Sequence, residues 1–343
     1  MEHLQHLTKN KQNLQLRFEV IKLLREFFWS QGFTEVDTPN IVRHPGQEPY
    51  LSPMRVSVHD ETGKEFVGYL HTSPEYTMKK MLATGWDKIF SVCKCYRDYE
   101  SFGGTHNPEF TMIEWYRSGA DMFNIMEDIE NLFAYIAEKM QNDKDIKIQQ
   151  SAISNQQFTS WERITMKDLW QKYVGVNLDN YLDSKLMFNL CQEKKYNVTE
   201  GESYEDLFYR IFLNEIEPSL GKDKPTIVYN YPAQMAALSQ LSKADSRYAE
   251  RFEVYIQGLE LANAFSELTD SKEQLSRLKL EQEERRLLGK EVYGVDEEFI
   301  SALNNLSKCS GIALGVDRLV QLFTGCQNID DVLVLPASKL FKE

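Results

Sequence analysis

The chain has 343 residues, with 39 Lys or Arg against 52 Asp or Glu, a net charge of −13. That length allows two domains or one large enzyme domain and buries a substantial core; the acidic balance excludes a protein that grips duplex nucleic acid over its whole surface, while leaving room for a local basic patch. With 42% hydrophobic and 27% charged residues, wholesale disorder is excluded as well.

The start, Met1-Glu-His-Leu-Gln-His, carries no basic segment followed by an apolar one, so no signal peptide is expected. No apolar run of about 18 residues occurs, so no membrane span is expected either. The five cysteines (Cys93, Cys95, Cys191, Cys309, Cys326) lack CxxC spacing, and the six histidines form no HxxxH or HExxH. Neither a disulfide framework nor a structural zinc site is expected, and the thiols read as free in a reducing cytoplasm.

In chain order, Leu16, Val20, Leu24, Phe27 and Phe28 recur at helical spacing over 14–31, and Gly32 stops that helix. An extended piece, 33–39, runs to Pro39, which disfavours helix at Thr38. Strands are expected at 66–72 and 89–97, with a helix from about Pro74 to Ala83 between them. Residues 109–117 form another strand, and 121–140 a helix with Asp121 as its N-cap. The stretch 141–225 is more polar, with short helices, one of them opened by a capping box from Ser203 to Asp206. Strands return at 226–231 and 250–268. Residues 270–288 read as a solvated helix with Glu273–Arg277 and Glu281–Arg285 pairs. A helix at 295–306 precedes GIALGVDRLVQLFTG, a glycine-rich strand and turn leading into a helix stopped by Gly325. Strands in clusters with interspersed helices predict an α+β fold with a largely antiparallel sheet.

Strand 109–117 is the most informative. Period 2 puts Phe110, Met112, Glu114 and Tyr116 on one face, and Thr111, Ile113 and Trp115 on the other, which reads as the core face. Arg97 ends the preceding strand, and the loop DYESFGGTHNP, with His106 and Asn107, is suited to wrapping a polyanion. In Glu253-Val-Tyr-Ile-Gln-Gly-Leu-Glu260 a turn at Gln257-Gly258 pairs Tyr255 with Glu260. Glu253 then lies diagonally on the same face, about 7–8 Å away or less. Like charges that close call for a bridging cation such as Mg²⁺, unless both are plain surface glutamates. Asn263 and Glu267 have the other parity and need a bulge near Ala262–Ala264 to share that face. Gly315-Val-Asp-Arg318 adds an arginine at a helix start, where phosphates bind well. Two arginines, acidic metal-type ligands and an aromatic platform describe a magnesium-nucleotide site, and no GxxxxGK[ST] loop is present.

Together these pieces resemble the three signature motifs of class II aminoacyl-tRNA synthetases. Helix 15–31 plus TEVDTP is similar to motif 1, FSVCKCYRDYESFGGTHNPEFTMIEWYR to motif 2, and GIALGVDRLVQLFTG to motif 3. The wording THNPEFTMIEWY, with HTSPEYTMKKML upstream and FEVYIQGLELANAFSELTD downstream, resembles the lysine-specific branch. The resemblance implies a class II catalytic core over 1–343, with an insertion-like part at about 141–225. It implies that Arg97 contacts the ATP α-phosphate and the substrate carboxylate, Phe110 stacks on adenine, and Arg318 holds the γ-phosphate. Asp98, Glu100, His106, Asn107, Glu260, Leu261 and Gly315 would complete the ATP site, and Glu253 and Glu260 would be magnesium ligands. Glu75, in Ser73-Pro74-Glu75, would accept one amino group; Glu114, Tyr116, Asn263 and Glu267 would surround the other amine, with Ala313 on the pocket floor. Relatives usually read Arg-Asn-Glu where this chain has Arg97-Asp98-Tyr99-Glu100, so Tyr99 or Glu100 fills the adenine-reading position.

Lysyl-tRNA synthetases carry an anticodon-binding OB-fold before motif 1, whereas here motif 1 begins near residue 15. Ala313 stands where they typically have glycine. In both respects the chain resembles the short synthetase paralogues that activate (R)-β-lysine with ATP and transfer it to a lysine of translation elongation factor P. That resemblance implies a cytoplasmic ATP- and Mg²⁺-dependent ligase, a homodimer through motif 1, acting on a protein rather than on tRNA. A lysine-activating paralogue with tRNA or another acceptor is the alternative. A regulatory protein that had lost catalysis should lack Arg97, Glu260 or Arg318, and all three are present.

Overall fold

The computed structural model describes residues 2–142, 158 and 160–341. Helices α1 (Glu2–Lys9) and α2 (Lys11–Ser30) are followed by β1 (Thr34–Glu35), β2 (Ile41–Val42), β3 (Arg55–His59) and β4 (Glu65–Leu70). Next come α3 (Glu75–Ala83), β5 (Lys88–Tyr96), β6 (Glu109–Ser118), α4 (Met122–Asn142), β7 (Glu162–Thr165), α5 (Met166–Tyr173), α6 (Ser184–Glu193) and α7 (Tyr204–Ile211). The last part holds β8 (Thr226–Pro232), β9 (Tyr248–Ile256), β10 (Leu259–Ser266), α8 (Ser271–Leu287), α9 (Glu297–Leu303), β11 (Cys309–Gly315), α10 (Val316–Thr324) and α11 (Ala337–Leu340). Eight strands form one sheet in the order β1-β5-β6-β11-β10-β9-β8-β7. Only the two edge pairs, β1 with β5 and β7 with β8, are parallel. The expected α+β fold with a largely antiparallel sheet is therefore observed.

The sheet has one apolar and one polar face. Phe90, Ile113, Trp115, Phe252, Val254, Ala262, Ala264, Ile312 and Leu314 alternate along five strands and pack under α2, α4 and α10. Helix α2 contributes Leu16, Val20, Leu24, Phe27 and Phe28 at the spacing of one helical stripe. Gly32, at φ +75°, ends it in the left-handed region. Each strand's intervening residues therefore point to the opposite face, because strand side chains alternate. That second face carries Glu114, Tyr116, Arg251, Glu253, Asn263 and Ala313, most of them in register with one another: Glu114 pairs with Ala313, Ala313 with Asn263, and Asn263 with Glu253.

One buried ion pair joins three distant segments. The Arg17 guanidinium of α2 donates to Asp317 Oδ1 at 2.5 Å and to Thr111 Oγ1 of β6 at 2.7 Å. Asp317, at the start of α10, accepts from the Thr111 backbone N–H through its other oxygen at 2.9 Å. Arg17 and Asp317 are both buried, so each charge depends on the other.

Within the 141–225 segment, 143–157 and 159 lie outside the described residues. The rest is joined to the main sheet by β7 and has its own core, in which Trp170, Leu190, Phe208 and Phe212 pack with Val228 and Tyr255 of the sheet. The expected caps form: Phe123 N–H donates to Asp121 Oδ1 at 3.1 Å and Asp206 N–H to Ser203 Oγ at 3.0 Å. Helix α8 departs from expectation. Its Glu273–Arg277 pair is present, yet Arg285 pairs with no glutamate of the helix; it is buried and donates to the carbonyls of Glu48, Leu51 and Glu291. Charge spacing marked a solvated face, and two of the backbone carbonyls that capture Arg285, those of Glu48 and Leu51, come from a loop more than two hundred residues away. Helix α1 was not anticipated.

Removing one partner of a buried pair costs about 3–5 kcal/mol. Asp317→Asn should lose that much in urea unfolding monitored by circular dichroism; a loss below about 1 kcal/mol would contradict a structural role for the pair.

Candidate active site

On the polar face lies a cavity of about 720 Å³, within the range of small-molecule sites. Among its lining residues are Ser73, Glu75, Arg97, Glu100, His106, Asn107, Phe110, Glu114, Tyr116, Glu260, Leu261, Asn263, Glu267, Ala313, Gly315 and Arg318. The strands bring these together from five separate stretches of sequence. Three residues of the expected set are not on the wall. Pro74 serves as the N-cap position of α3. Asp98 turns its Oδ1 to the Tyr99 backbone N–H, and Glu253 stands behind the wall.

The β9–β10 hairpin explains the positions of the acidic groups. Gln257 and Gly258 have φ +56° and +76°, the signature of a type I′ turn, and Tyr255 pairs with Glu260. The register shifts between Glu260 and Ala262, so the extra residue is Leu261 rather than one in 262–264. That bulge restores Asn263 and Glu267 to the face of Glu260.

Glu253 departs from the expected magnesium pair. It is 3% exposed, and its carboxylate accepts hydrogen bonds from Arg251 at 2.6 Å, Tyr231 at 2.6 Å and Tyr255 at 2.5 Å. Its charge is met by the protein's own groups, which spacing alone could not foresee. Glu260 has no such set of donors; its nearest cation is Arg318 at 3.9 Å. Burial, with Glu253 nearby, pushes the Glu260 carboxyl up to about 7.

At the other end, Ser73 Oγ donates to Glu114 Oε1 at 2.6 Å and Tyr116 Oη to Oε2 at 2.9 Å. Gly311 is required beside this group, since a Cβ there would lie 2.2 Å from the Tyr116 ring. The residue that sequence reasoning missed is Lys79. It is 1% exposed, and its ammonium lies 2.6 Å from Glu75 Oε1 and 2.5 Å from Glu267 Oε2. The i,i+4 spacing of Glu75 and Lys79 was visible, but nothing in the sequence set Lys79 apart from the neighbouring Lys80. Burial disfavours the Lys79 charge, and the carboxylates of Glu267 and Glu75 more than offset this, holding the ammonium above its usual range. Burial pushes the Glu267 carboxyl up to about 8, Lys79 offsets part of the rise, and Glu75 adds to it. Burial and Glu75 also raise Glu114 well above the carboxylate range. Lys79 thus pairs with Glu75 and Glu267 and leaves Glu114 without a cation, so the pocket favours a ligand that brings more positive charge.

Arg97 and Arg318 mark the opposite polarity. The Arg97 guanidinium lies 5.0 Å from the centre of the Phe110 ring, and its Nε has no hydrogen-bond partner. Arg318 donates to the Glu260 carbonyl at 2.8 Å and to His106 Nε2 at 3.1 Å. Burial and Arg318 lower the His106 pKa, which keeps the imidazole neutral and able to accept. Asn107 holds the carboxy-terminal segment, accepting from the Ala337 N–H at 2.9 Å. Tyr99 adopts φ +61° and is 92% exposed, whereas Glu100 lines the cavity. The longer loop places its extra residue in solvent, and of the two candidates Glu100 has the position to read a base.

The architecture and motifs place the chain in a known class. The family model for class II tRNA synthetases of the aspartate, lysine and asparagine type matches residues 3–339, and the chain belongs to that family. Among curated proteins it is 36% identical over 330 residues to the elongation factor P–(R)-β-lysine ligase of Hamiltonella defensa, covering 95% of each chain. It is likewise 36% identical over 334 residues to the enzyme of that name from Avibacterium paragallinarum, covering 97% of each. The Proteus mirabilis enzyme of that name is 36% identical over 327 residues, 94% of each chain.

Lys79→Met should leave Glu75 and Glu267 without their shared cation and cost about 3–5 kcal/mol where Glu267 is ionised. Because the Glu267 carboxyl is raised to about 8, the loss should be larger above that pH, where Glu267 is ionised, than below it. Chemical denaturation at several pH values checks this, and a pH-independent loss would mean that packing, not charge, is what Lys79 supplies.

Proposed function

We propose that this chain is an ATP-dependent ligase that activates (R)-β-lysine as its adenylate and transfers it to a lysine side chain of translation elongation factor P. The observation that carries the reading is the cavity's polarity: the guanidinium groups of Arg97 and Arg318 at one end, and at the other the carboxyls of Glu75, Glu114 and Glu267 with one lysine paired to two of them. A diamino acid fits that polarity, with its amines toward Glu75, Glu114 and Glu267 and its carboxylate toward Arg97. The relatives of that name, similar over nearly the whole chain, support the same reading.

ATP fits the other end. Phe110 offers an aromatic face, Arg97 and Arg318 offer guanidinium groups for phosphate, and Glu100 a carboxylate for the base. At Gly315 a Cβ would meet nothing closer than 3.8 Å, so the protein itself does not demand glycine there, and a closely approaching nucleotide would. In the first step the substrate carboxylate attacks the α-phosphorus and pyrophosphate leaves. In the second, the acceptor's amine attacks the acyl carbon, loses a proton and releases AMP. Arg97 would hold both the carboxylate and the α-phosphate, a positioning and charge-stabilising role. Glu260 is the carboxylate suited to Mg²⁺, which when bound neutralises phosphate charge; Glu253 would act through Glu260 by its charge.

Ala313 sits between Glu114 and Asn263 on the pocket floor, and its methyl group would select among lysine isomers. ATP–pyrophosphate exchange should favour (R)-β-lysine over α-lysine, and Ala313→Gly should shift that ratio toward α-lysine by about 10–200-fold. Acyl transfer should reach elongation factor P and not tRNA, in keeping with the net charge of −13. Equal exchange with both isomers, or transfer to tRNA alone, would favour a lysine-activating enzyme with another acceptor. ATP and a translation factor as reactants place the reaction in the cytoplasm, and among the described residues no helix is long and apolar enough to cross a membrane.

A metal ligand must be ionised. Because the Glu260 carboxyl is raised to about 7, Mg–ATP binding should tighten as pH rises through about 7 and level off above it. Calorimetric titration should show this step, and Glu260→Gln should weaken binding and abolish it.

The chain should also form a homodimer through the motif 1 region, where Phe18, Trp29 and Ile41 are half or more exposed. Light scattering should give about twice the 40.0 kDa of one chain; a monomer at micromolar concentration would overturn this.

A further inference from the structure

Beside the amino-acid end of the cavity lies a group of soft donors that the proposed reaction does not use. Cys93 and Cys95 alternate along β5 and so share its polar face, where Cys93 pairs in register with Met112 and Ser91 with Glu114. His71, just before Ser73-Pro74-Glu75, packs against them. One donor atom from each of His71, Cys93 and Cys95 lies within 4.8 Å of the others. The sequence held no zinc-type spacing because CxC and a distant histidine meet only when β5 and the 71–74 segment are brought together.

We propose that His71, Cys93 and Cys95 form a binding site for one thiophilic d¹⁰ ion of the Zn²⁺ type. Three geometric features carry this. The two sulfurs are 3.9 Å apart, close to the edge of about 3.8 Å for a tetrahedron with Zn–S bonds of about 2.3 Å. His71 Nε2 lies 2.6 Å from the Lys94 carbonyl. A carbonyl only accepts, so Nε2 carries a proton, and Nδ1 is the ring atom that a metal would take. A ring N–H donated to a backbone carbonyl is also the usual outer partner of a metal-bound histidine. Finally, His71 and Cys95 are buried while Cys93 is partly exposed, which leaves an entry path. Both cysteines would bind as thiolates, their protons passing to solvent, and a fourth position is left for water or for Met112, whose sulfur is 4.0 Å from Cys95 Sγ.

The test uses the full chain, stripped of metal and kept reduced with a phosphine. Titration with Co²⁺ should produce thiolate-to-cobalt charge-transfer absorption that saturates at one equivalent and is displaced by Zn²⁺. Losing a direct ligand should weaken binding by more than the roughly 10–100-fold typical of an outer partner, so Cys93→Ser and Cys95→Ser should each lose the band. Cys191→Ser, remote from the cluster, should keep it. Since Cys95 is buried and its variant could misfold, alkylation of the wild-type chain gives an independent reading: Zn²⁺ should protect Cys93 from iodoacetamide. Absent charge-transfer absorption, a band that survives Cys93→Ser in folded protein, or undiminished alkylation with Zn²⁺ would each overturn the site. None of these readings depends on ligase activity, so failure here leaves the proposed function untouched.

Discussion

The molecule depends on the buried pairing of Arg17 with Asp317, completed by Thr111. Neither charge has water to fall back on, so the three segments that carry them must meet with correct geometry or each suffers the cost of an unpaired buried ion. Those segments are α2, β6 and the start of α10. By tying them, the pair sets where the aromatic strand lies relative to the last helix. Arg318, one residue beyond Asp317, then reaches Glu260 and His106 across the cavity.

The cavity itself is a problem in charge placement. Its carboxyl groups are buried or partly buried, and the desolvation raises the pKa of Glu114, Glu260 and Glu267. A carboxyl raised this way is poised to ionise when a cation arrives, because the arriving charge replaces the lost hydration. Lys79 holds Glu75 and Glu267 together until then, without neutralising all three. Glu253 shows the opposite arrangement, with Arg251 and two tyrosines meeting it in full. Two glutamates seven residues apart thus serve different ends: one is held by the fold, the other is open to ligand.

Much of the fold was legible because it follows local rules. The stripe of Leu16, Val20, Leu24, Phe27 and Phe28 defined α2, the glycines at 32 and 325 marked helix ends, and alternation in strand 109–117 separated Trp115 from Glu114. The Gln257–Gly258 turn set the pairing of Tyr255 with Glu260. Motif wording supplied most of the cavity wall, including Arg97, Phe110, Glu260 and Arg318.

What the sequence determined by itself was which residues alternate, where helices stop and which motifs stand in order, since each depends on neighbours within a few positions. Tertiary structure alone decided the rest. It put the bulge at Leu261, sent Tyr99 to solvent and Glu100 to the wall, surrounded Glu253 with donors, buried Arg285 against loop carbonyls, chose Lys79 over Lys80 as the internal cation, and gathered His71 with Cys93 and Cys95. Each of these turns on desolvation and on partners distant in the chain, and the free energy of a buried polar group is set by what surrounds it in space, which spacing along the chain does not encode.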